Sequence, residues 1–449
     1  MEYWSDGVLE WWAQKSFTIP NPIFHPSITP IKRIVSRFLH GGGLMGKQIF
    51  EGIHIAEFAA IAAGPLIGKH MADHGAGVVH VESYERPDGF RQNYPPYKDN
   101  KPGMNRSGAF SICNNNKYGV TINLKAKGGV ELAKRLMAWA DIVIENFTPG
   151  TMKKLGLGYE EARQVNPDII YLSSCNQGQT GPHAFHPGFG SHLSSLCGFT
   201  YMTGYPDRLP CILYGPYVDH VGVGYGVIAA VAALEHRRRT GEGQYVDLAQ
   251  YEVGVQFLIP ALLEYSINGR VIERDGNRHS FAAPHNTYRC KGKDRWCVIS
   301  VFSDDEWRAL CKCMMKEKWI SDPRFKTITA RKEHEDKLDH EIEKWTKRWT
   351  PEEVFKKLQK AGVKAGMVED MKDLFADPQL KYRKFWAPVD HPEIGSCHAE
   401  GPPFLFSKTP FKIDRPAPMI GEHNEYVFKD LMKLPKEEYD RFVKEGVIG

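Results

Sequence analysis

From residue 52 onward the chain alternates two textures. The runs "GIHIAEF", "AGVVHVES", "YGVTINL", "DIVIENF" and "DIIYLSSC" are dense in Val, Ile and Ala and read as strands. Between them lie "AAIAAGPLIGKHMADHG", "KGGVELAKRLMAWA" and "YEEARQVN", where apolar residues recur at helical spacing. The strands are nearly continuous in apolar residues, so both faces of the sheet must be covered. Strands alternating with helices predict a parallel sheet with right-handed crossovers, a Rossmann-like large domain of the α/β class. A long helix over 220–239 follows, with Val221, Tyr225, Ile228, Ala232 and Leu234 expected to face inward. Arg237–Arg239 fill its last turn and Thr240-Gly241 stop it, which suits the negative end of a helix.

Around 270–285 the pattern changes to turns. Beyond it, "RWCVISV" reads as a strand, and "SDDEWRALCKCMM" as a helix with acids in its first turn. "TPEEVFKKLQKAG" is a helix opened by a Thr-x-x-Glu capping pattern. The expected organisation has four parts. Residues 1–48 form a Trp- and Pro-rich extension ending in the joint "HGGGLMG". Residues 49–274 form the first part of the large domain, 275–385 a smaller α+β domain, and 386–449 a return to the large domain. Trp4, Trp11 and Trp12 are expected to pack on the protein's own surface or on a partner.

A chain of 449 residues is too long for one core. With 42% hydrophobic and 25% charged residues it is an ordinary globular composition. The formal net charge of +4 comes from mixed signs, with no basic tract for nucleic acid. Glu2 and Asp6 stand where a secretory signal would carry cations, and the Val221–Leu234 run is too short to span a bilayer. The nine cysteines are scattered without a Cys-x-x-Cys pair, which implies reduced thiols in the cytoplasm. Neither a metal-ligand spacing, a Gly-x-Ser-x-Gly elbow nor a Gly-x-Gly-x-x-Gly fingerprint occurs. The missing fingerprint argues against a dinucleotide oxidoreductase.

Three places could carry chemistry, each with a plainer alternative. The first βα turn, Ala62–Pro65, could present backbone N–H groups to a phosphate, or could only let a helix pack closely. The stretch "ENFTPGTMKKLGLG" follows a strand at the carboxyl edge of the sheet. It offers Asn146, Thr148, Lys153 and Lys154 to a ligand, or only a solvated basic turn. Asp219 precedes the long helix. The helix would hold it ionised as a nucleophile, with Gly222, Gly224 and Gly226 leaving the backbone bare for a thioester, or Asp219 is an N-cap.

Taken in order, "ENFTPGTMKKLGLGYE", "NQGQTGPHAFHPGF", "YVDHVGVGYGVIAAVAALEHRRRTGEGQYVDLAQYE", "FADPQL" and "IGEHNE" resemble the class III CoA-transferases, the CaiB/BaiF family. Formyl-CoA transferase and crotonobetainyl-CoA:carnitine CoA-transferase are members, and α-methylacyl-CoA racemase is a relative. The resemblance covers roughly 50–435. It implies a ring-shaped chain in an interlocked dimer with itself or with a homologous subunit. It also implies CoA transfer from an acyl-CoA donor to a small carboxylic acid, with no metal or redox cofactor. The nucleophile it implies is Asp219, acting through an aspartyl anhydride and an aspartyl-CoA thioester. The positions implied to contact CoA are Ala62, Ala63, Ser83, Ile122, Asn123, Leu124, Lys125, Asn146, Phe147, Thr148 and Lys154, with Gly188, Phe189 and Gly190 beside the acyl group.

The chain departs from the family pattern in two places. Ser83 stands where relatives often carry a cation, which leaves Arg86 or Arg91 to meet that phosphate. Pro187-Gly188-Phe189-Gly190 lacks the acidic residue that usually follows the "TGP" turn. Without a proton-shuttling pair there, a racemase or isomerase is the weaker reading, and a non-catalytic subunit is disfavoured because Asp219 is kept. The lost carboxylate predicts room for a bulkier or dicarboxylic acceptor, such as an aryl- or alkylsuccinate, with His192 and Tyr214 helping to bind it. "SFAAPH" is the nearest counterpart of the glycine-rich active-site loop of formyl-CoA transferase.

Overall fold

The computed structural model describes residues 48–449; the Trp-rich segment and the glycine joint lie outside the described residues. Six parallel strands form one sheet: β1 (His54–Phe58), β2 (Gly77–Glu82), β3 (Tyr118–Thr121), β4 (Ile142–Glu145), β5 (Ile170–Cys175) and β6 (Tyr245–Ala249). Their order is β3-β2-β1-β4-β5-β6. The chain first builds outward from β1 through β2 to β3, then crosses back to lay β4 beside β1, pairing Ile55 with Ile142 and Phe58 with Glu145. Loops leaving β1 and β4 therefore diverge at their carboxyl ends and open a crevice, where open α/β sheets hold ligands.

Both faces are covered, as the apolar strands require. On one side α1 (Ala63–Ala72) and α3 (Tyr217–Thr240) pack over Ile55, Val78, Ile144 and Leu172. On the other, α2 (Gly129–Trp139) and the C-terminal segment bury Leu132, Leu136, Val427, Phe428, Phe442 and Ile448 against Val79, Val120 and Val143.

The long helix meets the core on a different stripe from the one its largest apolar residues suggest. Gly222, Val223, Gly226, Ala230 and Ala233 are buried, while Ile228 is 66% exposed and Ala232 also faces outward. A Cβ at Gly226 would lie 2.3 Å from Cδ1 of Ile67, so the glycine lets α3 and α1 approach closely. The glycines are thus not simply bare backbone for a ligand: Gly222 faces the Gln250 side chain and Gly226 faces α1. By length and composition this helix could cross a membrane, yet its small-residue stripe packs into the α/β layers. The helices α4 (Gln250–Gln256) and α5 (Ile259–Asn268) follow β6, and α5 buries none of its residues.

A three-stranded antiparallel sheet of β7 (His285–Arg289), β8 (Trp296–Ser300) and β9 (Lys364–Val368) carries a separate core. Trp307 and Leu310 of α6 (Asp304–Cys313), Leu338 and Ile342 of α7 (Glu335–Thr346), and Val354 and Leu358 of α8 (Pro351–Lys360) fill it. The capping pattern at Thr350 forms as expected, with Thr350 Oγ1 accepting the Glu353 N–H and Glu353 accepting that of Thr350. A hairpin of β10 (Trp386–His391) and β11 (Gly395–Glu400) follows.

A buried ion pair ties β1 to the start of the edge strand β3. Lys117 Nζ donates to Glu57 Oε1 (2.7 Å) and Oε2 (3.0 Å), to the Pro65 carbonyl (2.7 Å) and to Asn114 Oδ1 (2.8 Å). Four acceptors around one ammonium compensate the loss of water at a fully buried charge. They also fix β1, β3 and the start of α1 relative to one another, which sets the wall of the crevice.

Candidate active site

The turn after β1 is clamped from two sides. Asn146, just past β4, accepts the Ala60 N–H on Oδ1 (2.9 Å) and donates from Nδ2 to the Ala60 carbonyl (2.8 Å). Ile61 next to it has φ of 67°, a left-handed conformation that a β-branched side chain disfavours. Its N–H points to both carboxylate oxygens of Asp88, each at 3.0 Å, and Asp88 is 2% exposed. A buried carboxylate accepting this N–H offsets the conformational cost.

That turn forms one wall of a cleft of about 400 Å³. Asn146–Pro149 after β4, Ser174–Asn176 at the end of β5, the loop 184–189, Asp219 and Gln250 complete the lining. The opposite lip is held by polar clamps. Gln179 donates from Nε2 to Glu145 Oε1 (3.1 Å) and accepts the Gly150 N–H (3.3 Å), while its own N–H meets Asp247 at 3.0 Å. Asn176 Nδ2 donates to the Gly188 carbonyl (2.8 Å) and so shapes the loop facing Asp219.

Asp219 lies in the first turn of α3, not before it, and the N-cap is Pro216 with no side-chain cap bond. The carboxylate lines the cleft instead. Burial pushes its pKa up to about 7, opposed by the backbone N–H of Gly190. The helix start therefore does not hold this group firmly ionised; desolvation outweighs it. A Cβ at Gly190 would lie 2.5 Å from Oδ2 and 2.7 Å from Cγ of Asp219. The space released by the absent side chain at 190 is thus occupied by the Asp219 carboxylate, so it gives no extra room for an acceptor.

The cleft gathers Ala62, Ala63, Asn146, Phe147, Thr148, Gly188, Phe189 and Asp219. Asn146 spends its amide on Ala60, so its role is to shape the turn. The remaining expected contacts lie outside the cleft. Ser83 bridges to Arg86 beyond β2. Ile122 is buried in the core, its side chain unavailable, and Leu124 packs against that core. Asn123 bonds Glu85 and the Lys125 N–H, while Lys125 and Lys154 are exposed. Arg91 cannot meet a phosphate as suggested: it is buried and bound to Glu82, Asn105 and the Pro418 carbonyl. "SFAAPH" is not part of the lining; Ala282 and Ala283 are buried, and the Ala283 carbonyl accepts from Arg331. Tyr214 is fully exposed, and His192 lines a second hollow of about 560 Å³ with His183, His186, Ser191 and Ser195. His186 and Pro187 line both spaces.

Sequence reasoning missed Ser174, Asn176, Asp88, Gln179 and Gln250. Their one-dimensional signal is faint: Gln250 directly follows a strand and Ser174 is the last residue but one of another, at the carboxyl edge where ligand groups concentrate. Asp88 lies 27 residues from the Ile61 N–H it accepts, a distance no local pattern bridges.

The profile of CoA-transferase family III matches residues 50–424. The chain is 34% identical over 400 residues to succinyl-CoA–D-citramalate CoA-transferase of Chloroflexus aurantiacus, covering 89% of this chain and 98% of that one. It is 33% identical over 392 residues to succinate–glutarate CoA-transferase of Agrobacterium fabrum, covering 87% and 97%. The crystal structure of a CAIB/BAIF family protein from Brucella suis superposes with a TM-score of 0.79 at 32% identity, over 86% of this chain and all of that one. With the parallel sheet, the switch-point cleft and this extent of likeness, the chain belongs to CoA-transferase family III.

Proposed function

We propose that this enzyme moves CoA from an acyl-CoA donor to a dicarboxylic acid through covalent intermediates on Asp219. The observation that carries this reading is the desolvated Asp219 carboxylate, free of any capping bond, on the wall of the switch-point cleft. A carboxylate whose pKa is raised to about 7 is a stronger base, and hence a stronger nucleophile, than one in water once its proton is lost.

The chemistry runs in four balanced steps. Asp219 attacks the donor's thioester carbonyl, and the C–S bond breaks to give an acyl-aspartyl anhydride and CoA thiolate. The thiolate attacks the aspartyl carbonyl, releasing the donor acid and leaving an aspartyl-CoA thioester. The acceptor carboxylate displaces CoA from it, forming a second anhydride. The thiolate then attacks the acceptor's acyl carbon, freeing acyl-CoA and Asp219. The protein supplies proximity and groups for the developing oxyanions.

The two transferases compared above are named for succinate, succinyl-CoA, glutarate and citramalate, which supports a dicarboxylate acceptor. The hollow beyond His186 supports it too. His192 Nδ1 accepts the Phe189 N–H (3.2 Å), which places the ring's proton on Nε2, where it can donate to a distal carboxylate. Phe185 and Phe189, both exposed on the cleft wall, suit the alkyl or aryl part of a substituted succinate. The apolar helix α5, with Leu262, Leu263, Tyr265 and Ile267 exposed, supports an extensive subunit contact such as an interlocked dimer. The nine thiols, none in a disulfide, suit a reducing compartment such as the cytoplasm.

The test is transfer itself. Purified protein given succinyl-CoA and glutarate is expected to form glutaryl-CoA, and Asp219→Ala is expected to abolish it. Turnover retained in Asp219→Ala would end the covalent reading; turnover of a monocarboxylate but of no diacid tested would end the acceptor assignment.

A further inference from the structure

Gln250 is the buried polar group in the cleft that the four steps leave unused. It opens α4 directly after β6, is 3% exposed, and lines the cleft together with Asp219. One end of its side-chain amide is held: Nε2 donates to Ser174 Oγ at 3.3 Å. The other end, Oε1, is buried and makes no hydrogen bond among the described residues. A buried acceptor left without a partner is destabilising, so its retention calls for an explanation. Its stem packs on α3 as well: a Cβ at Gly222, one turn after Asp219, would sit 3.5 Å from Cγ of Gln250.

The Ser174 hydroxyl is both donor and acceptor. It can accept from the amide NH₂, as drawn above, or donate to the amide oxygen once the amide turns over. In the second arrangement Ser174 holds Oε1, and the NH₂ takes the place of the unpartnered oxygen, on a residue that lines the cleft with Asp219. Ser174 is the penultimate residue of β5, paired to Leu248 just before α4 begins, so the anchor is rigid.

We propose that Gln250 is a catalytic residue that donates an amide N–H to the oxyanion formed when the Asp219 carboxylate adds to an acyl carbonyl. As the new C–O bond forms, the carbonyl π pair moves onto oxygen, and this oxygen accepts the N–H bond. When the C–S bond breaks, the pair returns and the bond weakens. The donor is neutral and fixed in a water-poor wall, so it favours the transition state over the ground state. This assignment rests on the covalent reading of Asp219.

The experiment measures single-turnover acylation of Asp219 from succinyl-CoA, quenched in acid and followed by peptide mass spectrometry. Gln250→Met keeps the volume and removes the donor; Ser174→Ala removes only the anchor and is a smaller change to the fold. Gln250→Met is expected to acylate about 10²–10³-fold more slowly, with the concentration for half-maximal rate within threefold of the wild type. Ser174→Ala is expected to slow acylation about tenfold. Acylation of Gln250→Met within threefold of the wild-type rate, or a loss seen only in half-saturation, would overturn the role of Gln250 while leaving Asp219 as nucleophile. An insoluble Gln250→Met leaves the decision to Ser174→Ala, where an unchanged rate overturns the proposal. A wild-type protein that never acylates at Asp219 would overturn the covalent reading, and this inference with it.

Discussion

The environment of Asp219 makes the pH dependence of the reaction a quantitative test. Burial in the cleft wall pushes its pKa up to about 7, and the Gly190 N–H recovers only part of that cost. Raised from its ordinary 3.8, the group is protonated, and so not nucleophilic, below about pH 7. With a single titration near 7, about a tenth of the molecules carry the anion at pH 6 and about a hundredth at pH 5. A free dicarboxylic acceptor is still largely ionised over most of this range, since ordinary carboxyls titrate near 4. The assay is kcat/KM for the acyl-CoA donor between pH 5 and 8.5, which reports the free enzyme. The account predicts a rise of about tenfold per pH unit on the acid side, levelling above 7. A profile flat from pH 5.5 to 8 would refute the reasoning, because the attacking group would then be ionised throughout.

Other expectations follow from the same geometry. Gly190→Ala would place a methyl 2.5 Å from Asp219 Oδ2, against a normal contact near 3.5 Å, so the carboxylate must retreat by about 1 Å. Displacements of that size at reacting atoms cost up to about 10²-fold, and kcat/KM should fall accordingly, with wild-type kinetics contradicting the contact. Asp88→Ala removes both acceptors of the Ile61 N–H, and the KM for acyl-CoA should rise about tenfold or more, with partial recovery in Asp88→Asn. An unchanged KM would show that the left-handed turn holds without that carboxylate. Glu57→Gln leaves the Lys117 ammonium buried without its charge partner, and denaturant unfolding should show a loss of about 3–5 kcal/mol. A loss below 1 kcal/mol would mean that the Pro65 and Asn114 acceptors suffice.

The sheet was legible because its strands are short apolar runs with helical stretches between them, a pattern that survives any tertiary detail. The helix that carries Asp219 was legible in extent but not in facing. Side-chain size pointed to Ile228 and Tyr225, whereas close approach to α1 selected glycine and alanine, and Ile228 stayed exposed. The nucleophile candidate stood out from its place before an apolar helix. Its protonation did not, since desolvation depends on the loop at Gly190 and on Pro216 beside it. A sequence shows a missing side chain at 190 but not that the Asp219 carboxylate lies against the place its Cβ would take. Arg91 looked available for a phosphate and is consumed by Glu82, and Gln250 carried no motif at all. Polar clamps such as Asp88 to Ile61 join positions that only the fold brings together.

The most direct measurement is to trap the intermediate. The protein is mixed with succinyl-CoA, treated with hydroxylamine or borohydride, digested, and mapped by mass spectrometry. The account predicts a hydroxamate or a reduced side chain at Asp219 and at no other carboxylate, dependent on the acyl-CoA. Glutaryl-CoA formation from added glutarate with Asp219 unmodified, or modification at another residue, would contradict it.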